Sequence, residues 1–171
     1  GGFAEYCYVV PGTGILKLPE ELSNEEATPI NCGVATMVCV TEATQIQMGD
    51  VVAIQGLGLL GLYGCAMAKT RGARLVIGLD AVADRLKVAK KFGADLTIDI
   101  SGREEDDIVA QVRELAPPDG VDAVIEVCGV PAAVPAGMKM LRIGGRYTLA
   151  GLVNPDAKVT VDANLFVKKW I

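Results

Sequence analysis

The segment Asp50–Asp80, DVVAIQGLGLLGLYGCAMAKTRGARLVIGLD, decides the fold. The apolar run Val51–Ile54 leads into Gly56-Leu57-Gly58-Leu59-Leu60-Gly61. A helix-like apolar segment follows, and a second β-rich run, Leu75–Leu79, ends on Asp80. Strand, tight turn, helix, strand and terminal acid form the context in which G-x-G-x-x-G is a dinucleotide fingerprint. The first glycine lets the chain turn sharply. The second lets backbone approach a pyrophosphate, and the third lets helix and strand pack closely. The helix N-terminus offers N–H groups and a positive dipole end to phosphate. Asp80 follows Gly61 by 19 residues, near the spacing of about 20 for an acid that accepts hydrogen bonds from a ribose.

Val51–Ala68 is a run of 18 uncharged residues, long enough to be weighed as a membrane span. Four glycines and Gln55 interrupt it, and β-branched residues crowd its start, so strand followed by helix is the better reading. FAD proteins and some methyltransferases also carry an acid after the second strand, and the glycine motif alone leaves them open.

A chain of 171 residues suffices for one domain with a full core. Alanine, valine, isoleucine and leucine dominate, as in a parallel sheet covered on both faces. The net charge of −5, with no basic block, argues against nucleic-acid binding. No signal or transit pattern opens the chain, so a cytoplasmic location is expected. The five cysteines, Cys7, Cys32, Cys39, Cys65 and Cys128, contain no C-x-x-C, and free, mostly buried thiols are expected. The chain has no histidine, which rules out a Ser-His-Asp or Cys-His device and any zinc site containing His. If the chain belongs to an enzyme, most of the catalytic apparatus lies elsewhere.

Short strands are expected at Ala4–Val10 and Ile15–Leu18, separated by a turn at Pro11–Gly14. Ser23-Asn24-Glu25-Glu26 is a capping box that predicts a helix. A second helix is expected over Gly33–Thr44. Beyond Asp80 the pattern predicts a helix over Val82–Phe92, a strand over Leu96–Ile100 and an amphipathic helix over Glu104–Leu115. A strand over Val121–Val127 and a helix over Pro131–Leu141 follow, with Pro135 awkward in the latter. Gly144-Gly145 is expected to turn into a fifth strand, Arg146–Ala150. Lys158–Val161 is a candidate sixth strand, and a helix starts at Leu165. Strands alternating with helices predict a Rossmann-type doubly wound parallel sheet in a three-layer α/β/α arrangement.

Several segments together resemble the medium-chain dehydrogenase/reductase family, in its zinc-dependent alcohol, polyol and threonine dehydrogenase branch. They are Gly1-Gly2-Phe3-Ala4-Glu5-Tyr6, Asn31-Cys32-Gly33-Val34-Ala35-Thr36, Gly49-Asp50-Val51-Val52 and the Gly56–Gly61 loop. Ile77-Gly78-Leu79-Asp80, Phe92-Gly93-Ala94-Asp95, Val121-Asp122, Glu126-Val127-Cys128-Gly129 and Gly144-Gly145-Arg146 continue the series. The resemblance implies that the chain is about the middle half of such a protein. Residues 1–22 would be a remnant of a GroES-like catalytic lobe, and 23–171 the NAD-binding domain. The family's Gly-His-Glu zinc motif and four-cysteine structural zinc loop are expected upstream of Gly1.

The resemblance also implies site residues. Gly56, Gly58 and Gly61 match the pyrophosphate turn, with the N–H groups of Leu59 and Leu60 aimed at phosphate and Leu60 flanking the nicotinamide. Asp80 matches the acid on the adenosine ribose; its charge would repel a 2′-phosphate, so NAD is expected over NADP. Arg85 matches a basic position at the same ribose, or is an exposed helix charge. Val127, Cys128 and Gly129 sit at the carboxyl end of the fourth strand on the cofactor side. Ala150, Gly151 and Leu152 match the segment that recognises the carboxamide. Thr36 matches a residue packed on the nicotinamide, or is structural. Cys32 matches a catalytic-zinc ligand of the intact enzyme, or is a buried hydrophobe. In this chain alone no stable zinc binding is expected.

The implied function is the NAD(H)-binding domain of a zinc-type alcohol dehydrogenase-like oxidoreductase acting on a small alcohol or polyol, inactive by itself. Two alternatives stand beside it. One is a non-catalytic NAD-binding module or the product of a truncated gene; the other is a zinc-free quinone-reductase-like relative, which has no need of Cys32. A homodimer through an unprotected edge near Val159–Val161 is expected. Neither a nucleic-acid nor a membrane partner is expected.

Overall fold

A computed structural model describes residues 3–116, 118–151, 154 and 156–170. Its centre is a five-stranded, wholly parallel sheet in the order β3-β2-β1-β4-β5. The strands are β1 (Val51–Gln55), β2 (Leu75–Asp80), β3 (Leu96–Asp99), β4 (Val121–Glu126) and β5 (Leu141–Leu149). Helices α1 (Asn24–Ala27) and α2 (Ala35–Thr44) precede the sheet. Then α3 (Leu59–Thr70), α4 (Ala83–Lys91), α5 (Glu105–Leu115) and α6 (Ala133–Met140) connect successive strands, and α7 (Ala163–Lys169) follows β5.

Alternation along each strand divides the core into two layers. Val52, Ile54, Val76, Ala123 and Ile125 face Met37 and Val40 of α2, Cys65 and Ala68 of α3, and Leu86 and Ala89 of α4. Val51, Ala53, Ile77, Leu79, Val121 and Val124 face Val109 and Val112 of α5 and Ala136 and Met140 of α6. All five residues of β1 are buried, as a central strand covered on both faces requires. The strand order reverses at β1, between β2 and β4, so the crevice at the carboxyl ends opens there.

The expected capping box is present: the Glu26 N–H donates to Ser23 Oγ and the Ser23 N–H to Glu26 Oε2. Gly93 ends α4 at φ +98°, a backbone region that favours glycine. Pro135 falls in the first turn of α6, where a missing N–H costs no intrahelical bond.

Four expectations are corrected. Residues 3–22 contain no strand and are exposed throughout. Ala4–Val10 and Ile15–Leu18 have strand-like sequences but no neighbouring strand to pair with, and an unpaired strand is not stable. Lys158–Val161 is not a strand for the same reason. The fifth strand begins at Leu141, and Gly144-Gly145 lies inside it rather than in a preceding turn. There the pairing to β4 jumps from Val121↔Leu141 to Ala123↔Arg146, a bulge that Gly144 accommodates at φ +69°. Val82, expected as the first residue of α4, is instead its exposed N-cap.

Candidate functional site

The sharp turn from β1 into α3 brings Gly56 under Cys128. Gly56 has φ +93°, and a methyl group there would lie 2.7 Å from Cys128 Cβ. On the first turn of α3, a methyl on Gly61 would collide with the Gly56 carbonyl oxygen. These two glycines close the strand–helix crossing. Gly58 does something different: a methyl there meets nothing within 4 Å, so the residue borders open space. It is the N-cap of α3, with no side-chain cap. The N–H groups of Leu59 and Leu60, in the first turn, therefore have no intrahelical acceptor. An anion seated over Gly58 would meet those donors and the positive end of the helix.

A cleft of about 570 Å³ runs from this turn across the carboxyl ends of the strands. Its walls include Gln55, Gly56, Asp80, Arg85, Arg103 and Cys128. Asp80 is 6 % exposed. Its Oδ2 accepts from the Leu57 N–H at 2.7 Å and its Oδ1 from the Val82 N–H at 2.8 Å. The acid thus fixes both the glycine loop and the start of α4. Arg85, 54 % exposed, places a guanidinium nitrogen 3.6 Å from Asp80 Oδ2. A carboxylate has about four acceptor positions, so Asp80 keeps capacity for hydroxyl donors entering the cleft.

On the other side of β1, Cys128 forms the wall. Cys128 as a residue is exposed at the wall, yet partial desolvation of its thiol, and then the hydrogen bond from that thiol to Glu126, push it up to about 12, so it stays protonated at neutral pH. Gln55, at the floor, donates to the Ala133 carbonyl at 2.8 Å and accepts from the Tyr147 hydroxyl at 3.4 Å, tying α6 and β5 to the tip of β1. Burial raises the Tyr147 phenol above its ordinary range, which keeps it a donor.

Of the residues singled out from sequence, Gly56, Asp80, Arg85 and Cys128 line the cleft. Beside the cleft, and not among its lining residues, Gly58, Leu59, Leu60 and Gly61 form the start of α3. Val127 packs beneath it, its Cγ2 lying 3.6 Å from a methyl built on Gly61. Gly129, Ala150 and Gly151 hydrogen-bond to Glu126 at the strand ends rather than lining the cleft. Leu152 lies outside the described residues.

Cys32 sits in a π-helical turn, Ile30–Val34, and Thr36 in the first turn of α2. This segment packs against the Leu59 side chain at the start of α3, since a methyl on Gly33 would lie 3.0 Å from Leu59 Cδ2. Cys32 is exposed, which sets aside its reading as a buried hydrophobe. The expectation of mostly buried thiols is likewise corrected: only Cys65 is buried, while Cys7, Cys32, Cys39 and Cys128 are exposed. Cys7 lies in the unpaired segment 3–22, and Cys39 points outward from α2. Among the described residues no three His, Cys, Asp or Glu side chains converge as a metal site requires. A single thiolate does not fit a catalytic zinc, which takes three protein ligands.

Sequence reasoning missed Arg103, Ile100 and Gln55 in the cleft, and Glu126 beside it. The available signal was position: each stands at or just beyond the carboxyl end of a strand, where an open α/β sheet places its ligands.

Residues 60–170 match the sequence model of the family described as zinc-binding dehydrogenase. The chain is 39% identical over 167 residues to an L-threonine 3-dehydrogenase of Pyrococcus horikoshii, an alignment covering 96% of this chain and 45% of the relative. The chain thus spans about half the length of the curated relatives it matches. Among solved structures, benzyl alcohol dehydrogenase from Acinetobacter calcoaceticus superposes with a TM-score of 0.83 at 26% identity, over 91% of this chain and 42% of that one. A Sinorhizobium meliloti 1021 protein solved bound to NADP superposes at 0.74 with 28% identity, over 81% of this chain and 40% of that one. No helix among the described residues is long and apolar enough to cross a membrane. The fingerprint, the strand order and these matches agree, and the chain belongs to the zinc-binding dehydrogenase family.

Proposed function

We propose that this chain is the dinucleotide-holding part of an NAD-dependent oxidoreductase that acts on a small alcohol or polyol. The observation that carries the reading is the corner at Gly58: open space beside Gly58 and a start of α3 without a side-chain cap, adjoining a cleft that Gly56 and Asp80 line. The corner fits a pyrophosphate, and the cleft reaches from it to an acid suited to a ribose. When bound, NAD supplies the hydride acceptor.

The residues of this chain divide the work. Gly56 and Gly61 hold the turn closed; Gly58 admits the phosphates to the N–H groups of Leu59 and Leu60. Asp80, oriented by the Leu57 and Val82 amides, accepts from the adenosine ribose, and Arg85 flanks the same sugar. The charge of Asp80 disfavours a 2′-phosphate, so NAD is preferred to NADP. Leu60, Thr36, Val127, Cys128 and Gly129 border the nicotinamide, and Ala150 and Gly151 present backbone to its carboxamide.

Residues 1–22 belong to a catalytic lobe and 23–171 to the coenzyme domain. Cys32 becomes a zinc ligand only where the longer protein supplies further ligands. The free, exposed thiols suit the reducing cytoplasm. A homodimer forms through an open sheet edge; with no strand at 158–161, the available edges are β3 and β5.

A fluorescence titration of the purified chain with NADH tests the reading. Saturable binding that ADP-ribose displaces is expected. Absence of saturation at millimolar NADH would remove it.

A further inference from the structure

Glu126, the last residue of β4, is fully buried. Its Oε1 accepts from three donors: the Cys128 N–H at 2.8 Å, the Gly129 N–H at 2.6 Å and the Cys128 thiol at 2.9 Å. Its main-chain carbonyl accepts from the Ala150 N–H at 2.9 Å and the Gly151 N–H at 3.0 Å. One residue therefore gathers the loop that leaves β4 and the loop that leaves β5. The other carboxylate oxygen, Oε2, is buried without a partner among the described residues. It faces Gly151, where a methyl would lie 2.6 Å from it.

Such an acid is poorly chosen for stability alone. A buried carboxylate pays a desolvation penalty, and a bare oxygen adds to it. Local rules are broken in this way mostly at functional sites. The two loops it joins are the ones that border the nicotinamide in the reading above, on which this inference rests.

We propose that Glu126 is a positioning residue for the nicotinamide end of the cleft. Through Oε1 it sets the Cys128–Gly129 wall, and through its carbonyl the Ala150–Gly151 wall, so the spacing of the two walls depends on one side chain and its own backbone. The adenine end is built independently. Asp80 bonds to Leu57, Val82 and Arg85, and Arg103 to Asp99, Asp107 and Gln111, with no bond to either wall.

The test separates the two ends. The chain and Glu126→Gln are titrated with AMP, which occupies only the adenine end, and with NADH, which occupies both. Glutamine keeps the shape but places an amide where Oε1 or Oε2 stood, so the clamp is lost or the amide is set against Gly151. Expected are AMP affinity near that of the parent, NADH affinity lower by about tenfold, and bound-NADH emission shifted toward that of free NADH. Gly151→Ala, which displaces the same wall from the opposite side, is expected to give the same split, and decides the matter if Glu126→Gln does not fold. Equal loss of AMP and NADH affinity, or no loss of either, would overturn the proposal and leave the dinucleotide reading standing. A parent chain that binds neither ligand would overturn both.

Discussion

The carbonyl oxygen of Gly56 occupies the place where a methyl group on Gly61 would have to lie, whereas a methyl on Gly58, between them, meets nothing. Glycines of one motif thus serve two separate ends, and substitution separates them. Gly61→Ala is expected to destabilise the fold by about 1–3 kcal/mol, because the strand–helix crossing must open. Gly58→Ala is expected to change stability by less than about 1 kcal/mol and yet weaken NADH binding, because its methyl fills the phosphate corner. Urea midpoints and NADH titrations of both variants check this; equal effects on stability would mean that Gly58 is structural.

Asp80→Ala removes the acceptor of two backbone donors and the ribose partner together. NADH affinity is expected to fall by tenfold or more, given about 1.5–3 kcal/mol for a hydrogen bond to a charged group. The preference over NADPH is expected to narrow. Titration with both coenzymes gives the ratio, and an unchanged ratio would remove Asp80 from coenzyme selection.

Arg103 stands at the adenine end with its guanidinium held by Gln111 Oε1 at 2.6 Å. A held guanidinium can stack on a purine face, an interaction worth about 1 kcal/mol. Arg103→Ala is expected to weaken AMP and NADH alike by about fivefold. A loss confined to NADH would place Arg103 elsewhere in the complex.

Cys65 is buried in the α3 layer, and that burial pushes its thiol up to about 12 from an ordinary 9.0. The folded chain therefore holds this proton more tightly than the unfolded chain does. The stabilisation is complete below pH 9 and is lost as pH rises toward 12. Urea midpoints from pH 8 to 11 are expected to decline, and Cys65→Ala, less stable at pH 8, is expected to decline less steeply. Parallel curves would show that other groups set the alkaline limit.

The sheet was legible in sequence where apolar runs alternate with helical periods, as from Val51 to Glu126. It was misread where pairing rather than pattern decides. Ile15–Leu18 and Lys158–Val161 look like strands but have no partner, and Gly144-Gly145 looks like a turn but is a bulge held in place by β4. The candidate site shows the same division. Gly56, Gly58, Gly61 and Asp80 announce themselves through spacing. Glu126 does not, because its meaning lies in bonds to Ala150 and Gly151, far along the chain. Arg103 and Gln55 owe their place to the cleft, which exists only once the strands are ordered.

The most direct measurement is calorimetric titration of the purified chain with NADH and with NADPH. The account predicts saturable binding of NADH at one site per chain, tighter than that of NADPH. Binding of neither coenzyme, or tighter binding of NADPH, would contradict it.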